Sequence, residues 1–287
     1  MIRQIIRKLR VSRDRLLQKC KKTVPVYIPV IQTGLLKGRK ALITGGTSGI
    51  GFAIAQAFVH AGADVVITGR GGLRLAEAVE RLRATVLGKT HQRVHGVVLD
   101  NLNVDSFAEK ISEVRSVLAG LDVLVNNAGV VRGVGLGSTT CIDYDTILET
   151  NLRGPYFLSQ LLAEQWAREK VRANILNVCS SSSLRPGQNP YILSKWGLRS
   201  LTLGLAKSYT RKGIVVNGIA PGPTDTDSMA ANLGGAIDWK KNPAGRLVTR
   251  QEIANMAVIL VSDLSRMVVG DIVYMGGGAG VITYDDV

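Results

Sequence analysis

Between the apolar run Ala41-Leu42-Ile43 and the apolar-periodic segment from Phe52 to Val59 lies Thr44-Gly45-Gly46-Thr47-Ser48-Gly49-Ile50-Gly51. A strand, a glycine turn and a helix start, in that order, make an anion cradle. Glycine lets the backbone turn sharply and approach a phosphate, and the free N–H groups of a first helical turn meet its charge. The spacing is G-x-x-x-G-x-G rather than G-x-G-x-x-G, and no Gly-Lys-Ser/Thr ending of a P-loop follows, which argues against a nucleotide triphosphatase. Taken alone, the motif also fits a plain glycine-rich turn.

The rest of the chain repeats the strand–helix alternation. Strands are expected near 40–44, 64–68, 94–99, 121–125, 173–179, 214–219 and 271–275, each short and apolar as in a buried parallel sheet. Helices are expected over 50–61, 72–87, 105–118, 143–170, 191–211 and 252–260, with apolar positions at helical spacing. Such alternation implies βαβ units with right-handed crossovers. With 287 residues, 46% of them hydrophobic, and no composition break between strands, we expect one α/β domain over 37–287. Its fold would be a Rossmann-like, doubly wound, seven-stranded parallel sheet with helices on both faces.

Residues 1–36 read as an extension. Residues 1–22 hold nine Lys/Arg against one acid, Asp14, and account for more than half of the net charge of +14. Ile2, Ile5, Ile6, Leu9, Leu16 and Leu17 recur at near-helical spacing there. A basic amphipathic helix suits an anionic membrane surface, an organelle-targeting role or packing against a partner subunit. Nucleic acid is disfavoured, because the charge is concentrated in an appendage without a recognised binding signature. The three cysteines, Cys20, Cys141 and Cys179, form no close pair, and the histidines form no ligand set. A reducing, cytoplasmic setting without a structural metal is expected.

Four further landmarks join the glycine turn: Asn126-Asn127-Ala128-Gly129, Asn151, Tyr191 with Lys195, and Pro221-Gly222. In this order and separation they make residues 38–278 resemble the short-chain dehydrogenase/reductase family, in its simple oxidoreductase branch. The resemblance implies hydride transfer between a nicotinamide dinucleotide and a carbonyl or secondary alcohol, with Tyr191 as acid and base. Physical chemistry agrees, since residues four apart share a helix face and a cation beside a phenol favours the phenolate. The family's carbonyl-polarising serine should end the strand before Tyr191. At its usual separation from the tyrosine stands Val178, so aligning strand ends selects Ser180 across a shortened loop, with Ser181 as the alternative. The family's asparagine, here Asn151, holds a kink and orders a relay water. Pro155 lacks the N–H that would otherwise occupy the Asn151 carbonyl.

For the cofactor, the resemblance assigns Thr44, Gly45, Thr47, Ser48, Gly49, Ile50 and Gly51 to the pyrophosphate turn. Asp100, Asn127, Ala128 and Gly129 fall to the adenosine side, Tyr191 and Lys195 to the nicotinamide ribose, and Pro221, Gly222, Thr224 and Thr226 to the nicotinamide end, the threonines bonding the carboxamide or the pyrophosphate. The second strand ends in Gly69-Arg70 where an acid would grip ribose hydroxyls. Arg70, assisted by Arg74, suits a 2′-phosphate, so NADP(H) is expected over NAD(H). A substrate lid is expected over 225–247, with Met229, Leu233 and Trp239 as apolar contacts. Arg132 and Arg185, if turned inward, would clamp an acidic substrate. Assembly as a homodimer or homotetramer, through the middle helix and the Tyr191 helix, is also implied. From a different class, the alternative is a non-catalytic dinucleotide-binding redox sensor or scaffold.

Overall fold

A computed structural model describes residues 34–85, 92–132, 135–226, 237–240, 242–279 and 282. The expectations for residues 1–22, Met229 and Leu233 lie outside them. Seven strands, β1 (Lys40–Ile43), β2 (Asp64–Gly69), β3 (Val94–Val98), β4 (Val123–Asn126), β5 (Ala173–Val178), β6 (Ile214–Pro221) and β7 (Ile272–Met275), form one sheet. Its order is β3-β2-β1-β4-β5-β6-β7 and every pairing is parallel.

The described helices are α1 (Gly49–His60), α2 (Gly72–Ala84), α3 (Phe107–Leu118), α4 (Cys141–Leu148), α5 (Gly154–Glu169), α6 (Pro190–Tyr209) and α7 (Arg250–Val261). They cover both faces because successive strand residues point to opposite sides. Ala41 and Ile43 enter the layer with Phe58, Ile253 and Val258, whereas Leu42 enters the layer with Phe107, Leu118, Leu162 and Trp166. Trp166, the largest fully buried side chain, satisfies its indole N–H on the Leu121 carbonyl at 2.7 Å.

Three details depart from the sequence reading. Leu36 is fully buried and its N–H donates to the Ala61 carbonyl, so the packed domain starts before residue 37. The helix expected over 143–170 is divided into α4, a π-turn over Glu149–Arg153, and α5. Pro155 explains the break, since it sits in the first turn of α5 without an N–H to continue the ladder. The last long helix begins at Arg250, where Thr249 and Glu252 form a reciprocal cap.

Glu252 also anchors the segment ahead of that helix. Arg246 donates to both its carboxylate oxygens, at 2.6 and 3.0 Å. The Arg246 guanidinium foremost, with the Thr249 N–H and hydroxyl, holds the carboxyl down from 4.5 to about 2 against the opposing effect of burial. A depressed folded value gives stability that is present above the unfolded value and lost on acidification. Stability should therefore fall from about pH 4.5 towards pH 2. Glu252→Gln should remove this part of the decline while lowering stability at neutral pH. Denaturant midpoints between pH 2 and 7 measure it, and identical acid limbs for the two proteins would refute the assignment.

Candidate active site

Strand order reverses direction between β1 and β4, and in open α/β sheets ligands bind beyond the carboxyl ends of strands at such a point. A cleft of about 570 Å³ opens there. Gly45, Thr47, Ser48, Ile50 and Gly51 line it from the glycine turn, Arg70 from the end of β2, and Asp100 from the end of β3. Asn127, Ala128 and Gly129 follow β4; Ser180, Tyr191 and Lys195 face them; Pro221, Gly222, Thr224 and Thr226 close the far end. Residues far apart in sequence thus converge on one cavity.

The turn is shaped by contacts that admit no side chain. A Cβ on Gly45, whose φ is +64°, would meet the Ala128 Cα at 2.8 Å. Asn127 Nδ2 donates to the carbonyls of Thr44 and Gly45, at 2.9 and 3.0 Å, locking the turn to β4. Thr44 is fully buried behind the wall, its hydroxyl accepting the N–H groups of Asn127 and Ala128. It is a brace rather than a lining residue. Gly49 likewise stays outside the lining and supplies a positive φ of 57° at the start of α1. Ser48 gives α1 no side-chain cap and lines the cleft with Ile50 and Gly51, so the helix start borders the cavity, a place where terminal N–H groups can meet an anion. A narrow glycine wall, an uncapped helix start and two arginines, Arg70 and Arg74, at the rim fit the phosphates of a dinucleotide.

At the other end, Asn189 caps α6 by accepting the Ile192 N–H at 2.8 Å, and Pro190 opens the helix. Tyr191 therefore lies in the first turn of α6. Lys195, only 5% exposed, sits one turn on with its Nζ 5.7 Å from the Tyr191 ring centre. That ammonium donates to the Val178 carbonyl at 2.9 Å. Val178 lacks a reactive side chain, but its backbone oxygen positions the lysine.

Ser180 lines the cleft; its Oγ accepts the Ser182 N–H at 3.1 Å and keeps its own proton to donate. Ser181 is buried outside the lining, its Cβ near Gly276. Burial pushes the Cys179 thiol up to about 11, so it stays protonated. Asn151 does not line the cleft. Its amide is engaged with the backbone of Val130 at 2.8 and 2.9 Å and with Ser194 Oγ at 3.2 Å, in the middle of the π-turn.

Sequence reasoning missed Leu99, Asn101, Val130, Val131, Thr150 and Cys179 as lining residues. Several stand at or just beyond strand ends, the signal that would have found them. The expected arginine clamp is not formed. Arg132 is held in an ion pair by Asp143, and Arg185 is exposed outside the lining. The shortened loop before Tyr191 is instead pinned from two sides, by Trp196 Nε1 on the Arg185 carbonyl at 2.7 Å and by the Leu136 N–H on that of Gln188 at 3.1 Å.

The family model described as enoyl-(acyl carrier protein) reductase matches residues 45–280. A 3-oxoacyl-(acyl-carrier-protein) reductase of Aquifex aeolicus is 32% identical over 253 residues, covering 85% of this chain and 98% of that protein. A gluconate 5-dehydrogenase of Gluconobacter oxydans is 32% identical over 252 residues, covering 86% and 96%. Among solved structures, a putative short-chain alcohol dehydrogenase of Sinorhizobium meliloti superimposes with a TM-score of 0.76 at 34% identity, over 85% of this chain and 96% of that one. With this fold and these relatives, the chain belongs to the short-chain dehydrogenase/reductase family. It is an NAD(P)-dependent oxidoreductase of that family.

Proposed function

We propose that this protein is an NADP(H)-preferring carbonyl reductase or alcohol dehydrogenase. The observation that carries the reading is the meeting of Ser180, Tyr191 and Lys195 at one end of a cleft whose other end bears Arg70 and the uncapped start of α1. A bound nicotinamide dinucleotide supplies the hydride in reduction and accepts it in oxidation. Tyr191 gives its phenolic proton to the substrate oxygen in reduction and takes it back in oxidation. Lys195 places its ammonium 5.7 Å from the Tyr191 ring centre and would hold the nicotinamide ribose of a bound cofactor. The Ser180 hydroxyl donates to the substrate oxygen as negative charge develops on it. Asn151 keeps the π-turn in register through its bonds to Val130 and Ser194; its side chain being engaged, a relay water would bind its backbone carbonyl.

Valines 130 and 131 line the cleft, and the neighbouring arginine is already paired. We take this as support for an uncharged carbonyl rather than an acidic substrate. A panel of aliphatic, cyclic and acyl-thioester ketones, assayed with NADPH and NADH, tests the proposal. No turnover on any of them would favour the sensor or scaffold reading. Tyr156, Phe157 and Leu203 are 46%, 41% and 50% exposed on α5 and α6, which supports a homodimer or homotetramer built on these helices.

Two substitutions test the details. Arg70→Ala should raise KM for NADPH about tenfold or more and leave NADH nearly unaffected, because a guanidinium–phosphate contact is charge-assisted. Equal losses with both cofactors would overturn the 2′-phosphate assignment. Ser180→Ala should lose about 10²–10³-fold in kcat, the scale of a missing oxyanion donor, while Ser181→Ala keeps most activity. The reverse ranking would move the role to Ser181.

A further inference from the structure

A line of buried amides and hydroxyls crosses the otherwise apolar core from the glycine turn to α6. At its cleft end, Asn127 binds the Thr44 and Gly45 carbonyls. Its neighbour Asn126, only 2% exposed, gives its two Nδ2 protons to Asn177 Oδ1 of β5 and Ser159 Oγ of α5, both at 2.8 Å. Asn177 is fully buried and donates in turn to Thr202 Oγ1 of α6 at 2.9 Å. Thr202, also fully buried, passes its proton to the Leu198 carbonyl at 2.8 Å. Asn126 Oδ1 is the one member left without a partner, so its two donations set the orientation of that amide.

Thr202 follows Lys195 by two helical turns and lies on the same face of α6. Lys195 binds the carbonyl of Val178, the residue next to Asn177. Helix α6 is therefore tied to β5 at two successive strand residues, once by a backbone oxygen and once by a side-chain amide. An apolar pair would fill the same space without this requirement. Apolar contact is non-directional and tolerates a small slide of the helix, whereas breaking a buried hydrogen bond leaves an unsatisfied polar group.

We propose that Asn177 and Thr202 are positioning residues, which fix the register of α6 on β5 so that Lys195 and Tyr191 keep one geometry relative to the glycine turn. This rests on the reading that Tyr191 and Lys195 perform the chemistry. Thr202→Val keeps the shape of the side chain and removes the hydrogen bond, whereas Thr202→Ser keeps the bond. In the full-length chain without cofactor, amide hydrogen exchange over residues 191–198 should be faster in Thr202→Val and restored in Thr202→Ser. With cofactor and the best substrate of the panel, Thr202→Val should lose about tenfold to hundredfold in kcat, the scale of a small misplacement of reacting groups. Its NADPH affinity should stay within about twofold, and Thr202→Ser should recover most of the rate.

Adding Thr202→Val to Asn177→Leu should cost little more than Asn177→Leu alone, because the leucine already deletes the Asn177–Thr202 bond along with the one from Asn126. If Asn177→Leu does not fold, the valine and serine pair still decides. A Thr202→Val protein that melts earlier yet keeps its exchange pattern, or its kcat, overturns the proposal, for the hydroxyl then serves stability alone. If no carbonyl compound turns over, the failure belongs to the proposed reaction, and the exchange comparison still tests the registration.

Discussion

Tyr191→Phe is expected to lower kcat by about 10²–10⁴-fold, the usual contribution of a positioned general acid or base, with dinucleotide affinity nearly unchanged. The substitution keeps the ring that packs at the start of α6 and removes only the phenolic oxygen. Lys195→Ala should be worse in a different way. The ammonium is 5% exposed and satisfied by the Val178 carbonyl at 2.9 Å. Its removal takes away the charge beside the phenol and leaves that buried oxygen without a donor, so both kcat and cofactor affinity should fall. Steady-state kinetics with cofactor binding followed by fluorescence separates the two patterns. Near-normal turnover by the phenylalanine protein would end the proposed mechanism, whatever the lysine variant does.

Gly51→Ala should abolish productive dinucleotide binding and weaken the fold. A Cβ there would lie 2.3 Å from Asn127 Nδ2 and 2.4 Å from the Gly45 carbonyl oxygen. Neither atom is free to retreat, because the Asn127 amide is bonded to the carbonyls of Thr44 and Gly45. Overpacking of this kind typically costs about 1–3 kcal/mol, and here the distortion falls on the turn that lines the cleft. Gly71→Ala makes the control, since a Cβ at that position meets nothing within 4 Å and surface changes of this sort usually stay within about 0.5 kcal/mol. Thermal melts and NADPH titrations of both variants give the comparison. A Gly51→Ala protein that binds NADPH as tightly as the parent would show that the turn can open without loss.

Part of the lining of the candidate site was legible because some of its residues stand close together in the sequence. The Tyr191–Lys195 pair is four residues apart on one helix, and the glycine turn is contiguous, so local geometry alone brings each set together. Ser180 was placed through the family resemblance, by aligning strand ends with Ser181 as the alternative, and it lines the cleft. The contacts of Thr44, Asn151 and Val178 were less legible, because each joins a backbone group to a distant element. Thr44 braces the start of the Asn127 segment, Asn151 grips Val130, and the Val178 carbonyl holds Lys195. No spacing in the sequence announces such contacts. The arginine clamp failed for a related reason: Arg132 finds Asp143 on the first turn of α4, a pairing that depends on how the loop folds back.

What the sequence by itself determined was the alternation of seven short apolar strands with helices, the glycine turn at the first crossover, and the helix that carries tyrosine and lysine together. These follow from periodicity and steric rules that act within a few residues. Only the tertiary structure decided which face each strand residue joins, where the middle helix widens into a π-turn, and how the buried amides of Asn126 and Asn177 link the turn to α6. The physical reason is range. Backbone preference and side-chain spacing are local, but a buried polar group must find a partner wherever the fold supplies one, and here the partners lie on strands and helices that meet only after the sheet has assembled.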